Sequence, residues 1–190
     1  MRAFRIQHDV RWYAVVLLLL AGTCTVASDC AAGQYLFTET VSATVTCSGG
    51  CLCQPSTGTI SGTISDGPSD YANFANCTWL IASSGLISPS FSSFNTINLS
   101  FSSFSTEKNF DFVTINRCAS SSSCEQVAQL SGINSAYMNS IYTSSTGYMQ
   151  VLFTSDTSGT SPGFVATWSS WTSTCITCPA GESEIPTLSV

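Results

Sequence analysis

An all-β fold, built as two packed antiparallel sheets, follows from three observations. Between residue 57 and about residue 169, apolar side chains recur at every second position. The apolar runs are short and separated by Ser, Gly and Asn, residues that favour turns. No stretch carries a sustained helical stripe, and about 110 residues suffice for one sandwich core.

In chain order, the first element is a leader. Arg2, Arg5 and Arg11 precede the apolar run Tyr13–Gly22, and Thr25-Val26-Ala27-Ser28 supplies a small-residue cleavage site. This pattern predicts a signal peptide over 1–28 and secretion. The run is shorter than the roughly 20 apolar residues needed to cross a bilayer, so no membrane span is expected. A lipoprotein reading of Cys24 is weak, because Thr23 precedes it. Residues 29–56 form a cysteine-rich segment with little apolar periodicity, which needs staples rather than a core.

Strands fill 57–169. Cys77 and Trp79 lie two apart and so share one face of a strand, where a disulfide can pack on a buried indole. A ten-residue duplication follows: Ile87–Thr96 is repeated as Ile97–Thr106. Pro89 in the first copy argues against a central strand there, so Ile97, Leu99 and Phe101 of the second copy are assigned inward, against Asn98 and Ser100. Phe110 and Phe112 are expected inside with Asp111 outside. Glu125–Leu130 could form at most a turn or two of helix. Met149, Val151 and Phe153 alternate with Gln150 and Leu152, and Phe164, Ala166 and Trp168 with Val165 and Thr167. Residues 170–190 open a second cysteine-rich segment.

Charge and histidine content exclude whole classes of function. Without residues 1–28 the chain keeps two cations, Lys108 and Arg117, against ten carboxylates, a net charge of −8. Such a surface cannot neutralise a row of phosphates, so nucleic acid is not an expected partner. The one histidine, His8, leaves with the leader. Ser-His-Asp and Cys-His catalysis and most zinc hydrolase sites go with it.

Nine cysteines remain, and an oxidising compartment makes them disulfides. Cys118 and Cys124 enclose a serine-rich loop and are expected to pair with each other. Nine is odd, so either one thiol is free or a partner lies beyond Val190, and the ending soon after Cys175-x-x-Cys178 favours the second. A redox role for that motif lacks a thioredoxin-like βαβ context, and a zinc role lacks two further ligands.

Two stretches, Phe101–Ile115 and Phe153–Phe164, end strand-like alternation in carboxylates. Hard cations are held by several oxygens on loops pinned between rigid strands. Glu107, Asp111 and Asp156 would therefore make a calcium corner if those strands lie side by side. The competing reading is that they are solvated turn carboxylates.

Taken together, Gly62–Ile81, the Phe-x-x-Phe-x-x-Glu107 strand, Asp111–Ile115, the Cys118/Cys124 pair, Leu130-Ser131-Gly132 and Phe153–Phe164 resemble a CUB domain, over about 110 of the 190 residues. The resemblance implies a jelly-roll-like sandwich of two antiparallel sheets, found in extracellular proteins and used mainly to bind proteins or glycans. It also implies calcium held by Glu107, Asp111 and Asp156 with Tyr71 in support. The Glu107-to-Asp111 spacing is four residues, about half that of the better-known calcium-binding members. Family spacing points to Cys53 as the partner of Cys77, with Cys51 and Cys47 as alternatives. Cys30–Tyr35 and Cys175–Gly181 look like pieces of ephrin-receptor-like cysteine-rich repeats.

The function expected is a non-catalytic extracellular module that binds a protein with exposed Lys or Arg, or a glycan, in a calcium-dependent way. One alternative is a structural matrix or wall glycoprotein, favoured by the Ser/Thr content and by two sequons, Asn76-Cys-Thr and Asn98-Leu-Ser. Another is a glycosidase using Glu107 with Asp111 or Asp156. Both asparagines alternate with inward residues and are expected to carry glycans, Asn98 more readily.

Overall fold

The structure, a computed structural model, describes residue 30 and residues 34–52, 54–84 and 93–177. The leader at 1–28, Pro89, Cys53 and Cys178 lie outside the described residues. The described residues divide between two units, one holding Cys30, residues 34–37 and residues 175–177, and the other lying within Thr38–Thr174. In the first, a disulfide joins Cys30 to Cys175. Among the described residues no helix is long and apolar enough to cross a membrane.

The strands are β1 (Gln34–Thr40), β2 (Ala43–Gly49), β3 (Ser56–Thr59), β4 (Ser61–Ser65), β5 (Asn76–Ser83), β6 (Ser93–Ser105), β7 (Phe112–Ser120), β8 (Ser123–Leu130), β9 (Tyr142–Ser144), β10 (Tyr148–Thr154) and β11 (Gly163–Thr177). A single helical turn, α1 (Ser135–Met138), is capped by Asn134. One sheet runs β3-β2-β5-β10-β7-β8. The other runs β1-β11-β6-β9, with β4 also paired to β11.

Period-two burial places one apolar face of each sheet in a common core. Val45, Trp79, Ile81, Val113, Ile115, Met149, Val151 and Phe153 come from the first sheet, and Ile64, Ile97, Leu99, Phe101, Phe164, Ala166 and Trp168 from the second. Phe164 joins the two layers, edge to face with Trp79 at 5.5 Å and with Phe153 at 5.9 Å. The expected alternation over 97–101, 149–153 and 164–168 is therefore the observed one.

Four expectations change. Asp111 is fully buried and Phe110 is 57% exposed, because β7 begins only at Phe112 and its inward residues are Val113 and Ile115. Glu125–Leu130 is no helical turn but part of β8, since its backbone pairs along β7. The sandwich also reaches upstream of residue 57. Strand β2 pairs with β5 from Ala43↔Ser83 to Gly49↔Cys77, and Ala43 and Val45 are core residues. Finally, Cys77 pairs with Cys51 and not Cys53. Gly49 lies opposite Cys77, and the chain leaving β2 there brings Cys51 within 5.8 Å, Cα to Cα. Gly49 is needed because it sits at φ +106° and a side chain would strike the Asn76 backbone.

Cys118 and Cys124 face each other across β7 and β8 and form the expected disulfide. Among the described residues no cysteine is free. Strand β6, between β11 and β9, begins at Ser93 inside the first copy of the duplication and takes in the second copy as far as Ser105. A bulge sits there: Ala166 pairs with Phe101 and Val165 with Ser103, leaving Ser102 as the extra residue. Phe101 and Phe104, three apart, are consequently both buried.

Candidate metal centre

Strand register gathers three loops at one end of the sandwich. Asn76, Thr154 and Phe112 are neighbours in one sheet, and Ser65, Ser105 and Gly163 mark the corresponding ends in the other. Tyr71 therefore comes from the β4–β5 loop, Glu107 and Asp111 from the β6–β7 turn, and Asp156 from the β10–β11 loop. One carboxylate oxygen from each of Glu107, Asp111 and Asp156 lies within 4.8 Å of the others.

The short β6–β7 turn closes tightly. Asp111 N–H donates to the Glu107 carbonyl at 3.1 Å, and Asn109 takes φ +69°, a left-handed conformation that asparagine tolerates. Ser131 fastens it from outside: its hydroxyl donates to the Glu107 carbonyl at 3.0 Å and accepts from Asn109 N–H at 2.8 Å. Four residues are thus enough to present two carboxylates.

Asp111 is the hub. Its Oδ2 accepts from the Tyr71 hydroxyl at 2.5 Å and its Oδ1 from Asp156 N–H at 2.8 Å. The Tyr71 oxygen in turn accepts from Glu107 N–H at 2.8 Å. Tyr71 is buried edge to face against Phe153, and burial together with its bond to Asp111 pushes its pKa up to about 12. The hydroxyl keeps its proton across the physiological range and stays a donor.

Electrostatically the cluster is uncompensated. Among the described residues the only ion pair is Arg117 with Glu125, at 3.0 Å, so no lysine or arginine neutralises Asp111. Glu107 Oε2 is buried and accepts no hydrogen bond. Burial, then the charges of Asp156 and Asp111, pushes the Glu107 carboxyl upward from its ordinary value. Gly159, at φ +80°, lets the β10–β11 loop lie against that carboxylate, and a Cβ there would run into Oε2.

These residues fit calcium. Two oxygens on one calcium are at most about 5 Å apart, and the ion takes several carboxylate, carbonyl and water oxygens. Each Asp111 oxygen retains lone-pair capacity beyond its one hydrogen bond.

Asp66 contributes without having been singled out from the sequence. Its Oδ1 accepts from Phe164 N–H at 2.6 Å while Oδ2 is buried with no hydrogen-bond partner. Gly163, at φ +77°, leaves the space this carboxylate fills. It thereby pins the start of β11, just after the loop of Asp156. The Asp66-Gly67 turn signal was legible, but its distant partner was not.

Burial raises the Asp66 pKa above its ordinary 3.8. The folded state holds this proton more tightly than the unfolded chain. That stabilisation is complete below the ordinary value and fades as pH rises through the folded one. Asp66→Asn retains the acceptor for Phe164 and carries no charge. It should flatten the fall in melting temperature above pH 3.8. A pH profile identical to that of the natural chain would refute this account.

Two antiparallel sheets with an oxygen-rich loop cluster at one end define a β-sandwich module with a candidate hard-cation corner. The family model for the CUB domain matches residues 47–168, and the chain belongs to the CUB domain family. Members are typically extracellular binding modules. Similar solved structures include the CUB1-EGF-CUB2 domain of human MASP-1/3, with 19% identity and a TM-score of 0.45 over 59% of this chain and 39% of that one. Another is the MASP-1 CUB2 domain, described as bound to Ca2+, with 22% identity and a TM-score of 0.43 over 58% of this chain and 93% of that one. This chain thus spans about two fifths of the first of these. No curated protein matches it. The ephrin-receptor-like resemblance of Cys30–Tyr35 and Cys175–Gly181 finds no support in these comparisons.

Proposed function

We propose that this chain is a non-catalytic extracellular recognition module, secreted after loss of residues 1–28, whose calcium site at Glu107, Asp111 and Asp156, supported by Tyr71, captures a lysine or arginine of a protein partner. The observation that carries the reading is Asp111, a fully buried carboxylate beside two others, with no cationic side chain paired to it among the described residues. An uncompensated buried charge is costly, and a divalent cation removes that cost.

Calcium bound there would supply charge neutralisation and a cross-link between loops. The protein's own groups set the geometry. Tyr71 orients Asp111, the Asp156 amide holds the other Asp111 oxygen, and Ser131 fixes the turn. Glu107 and Asp156 are only half-buried, so they can turn an oxygen outward to a partner's ammonium or guanidinium group. A glycosidase would need its acid and base both at the sugar; Asp111 is fully buried, which leaves Glu107 with Asp156 as the pair open to that reading.

Calorimetric titration of the full chain with calcium should show one saturable site that Asp156→Ala abolishes. Heats no larger than dilution would reject the site.

We further expect N-linked glycans at Asn76 and Asn98 on material secreted from eukaryotic cells. Asn76 is exposed at the start of β5, whereas Asn98 is half-buried and its Oδ1 accepts from the Thr143 hydroxyl at 2.7 Å. Exposure thus ranks Asn76 first, the reverse of the order expected from sequence. Peptide mapping with both asparagines unmodified would exclude this.

A further inference from the structure

Three of the four most exposed large apolar side chains among the described residues sit on the loops around the acidic corner: Ile133 at 80%, Phe74 at 72% and Phe110 at 57%. Each is tied to that corner through the backbone. Phe74 N–H donates to the Asp156 carbonyl at 2.8 Å. Phe110 lies between Glu107 and Asp111. Ile133 follows Gly132, whose N–H donates to the Thr106 hydroxyl at 2.9 Å and whose carbonyl accepts from Thr106 N–H at 3.2 Å.

Phe74 is also held at φ +58°, unfavourable for a bulky side chain. The surrounding loop over-determines this pose: Ala75 N–H donates to the Ser155 hydroxyl at 2.8 Å, which itself donates to the Ala72 carbonyl at 2.7 Å. A strained aromatic directed into water, clamped by the segment that carries Asp156, is not explained by the core. Exposed apolar side chains gathered at one place mark contact surfaces.

We infer that Phe74, Phe110 and Ile133 form an apolar collar around the carboxylates, and that the partner is a protein segment in which a lysine or arginine is bracketed by apolar side chains. This rests on the calcium-site reading and adds the identity of what flanks the captured cation. Charge selects a protein over a lipid surface. Lys108 and Arg117 are the only cations among the described residues, and Arg117 is engaged with Glu125. Anionic headgroups would meet a predominantly acidic face, whereas a basic segment is attracted to it.

The test uses the full chain with calcium and two immobilised synthetic peptides of equal charge, one with lysine between leucines and one with lysine between serines. The leucine-flanked peptide should bind at least about tenfold tighter, the effect of burying part of one or two apolar side chains. Phe74→Ser with Phe110→Ser should bind both peptides alike while retaining its calcium heat. Ile133→Ser, on a separate loop, reads the same preference independently should the double variant fail to fold.

Equal affinity for the two peptides, no binding of either, or an unchanged preference in the variants would overturn the collar. So would calcium-dependent binding to phosphatidylserine vesicles that the Phe74 and Phe110 substitutions abolish, since the collar would then serve a membrane. Calcium titration of the same samples separates the failures. Calcium binding without apolar preference sinks the collar alone, and absence of calcium binding sinks the metal site and the collar with it.

Discussion

Calcium at about one hundred times its dissociation constant should stabilise the folded chain by roughly 2.7 kcal/mol, because a ligand that binds only the native state adds RT ln(1 + [L]/Kd). Melting curves in calcium and in chelator should be clearly separated. Asp156→Ala should collapse the two curves onto the chelated one, since its side chain otherwise accepts only the exposed Ser158 amide at 2.9 Å. Asp111→Ala should behave differently. It strands the Tyr71 hydroxyl and the Asp156 amide as donors, which costs about 1–3 kcal/mol even without metal. Coincident melting temperatures in calcium and chelator would eliminate the site. An Asp111→Ala protein no less stable in chelator than Asp156→Ala would refute the hub role of Asp111.

Loss of the Cys51–Cys77 bridge should have a larger effect than loss of the Cys118–Cys124 bridge. The former closes a separation of 26 residues, for which chain entropy gives about 3.5 kcal/mol, against about 2 kcal/mol for the separation of 6 between Cys118 and Cys124. Cys77 is moreover buried beside Trp79 on the inward face of β5, so alanine there also leaves a gap in packing. Urea unfolding of the two double-alanine proteins should rank them in this order. The same midpoint for both would contradict it.

The core was legible wherever strands ran long and undisturbed. Ile97 to Leu99 and Met149 to Phe153 alternate cleanly because both flanking partners continue the ladder, and Phe164 to Trp168 do so because the bulge opposite them takes its extra residue from β6. Around Asp111 alternation misled, because the preceding residues form a turn and not a strand. A turn has no period to read. Strand β8 was obscured because most of its side chains are exposed, which leaves a polar string that resembles a surface helical turn. Among the candidate ligands, Glu107, Asp111 and Asp156 follow from carboxylates that end strand-like runs and Tyr71 from the family pattern, and the fold brings all four together. Asp66, Ser131 and Gly159 do not, since each acts through a partner at least 24 residues away in sequence. Only the folded register discloses such pairs. The choice of Cys51 over Cys53 likewise depends on how the chain leaves β2, which cysteine spacing does not encode.

The extra residue Ser102 has a consequence that reaches the metal corner. Up to the bulge, odd-numbered positions of β6 face the core: Ile97, Leu99 and Phe101. Beyond it, even-numbered ones do, Phe104 and then Thr106. The bulge at Ser102 therefore exchanges the parity of the strand. Were the same residues paired without a bulge, Ser103 and Ser105 would face the core and Phe104 the solvent. With it, Phe104 is buried and the chain leaves the strand with Thr106 inside, where its hydroxyl donates to the Asp111 carbonyl, and with Glu107 only half-buried at the rim. A sheet reads its sequence in steps of two, and one bulge decides on which step Phe104 falls.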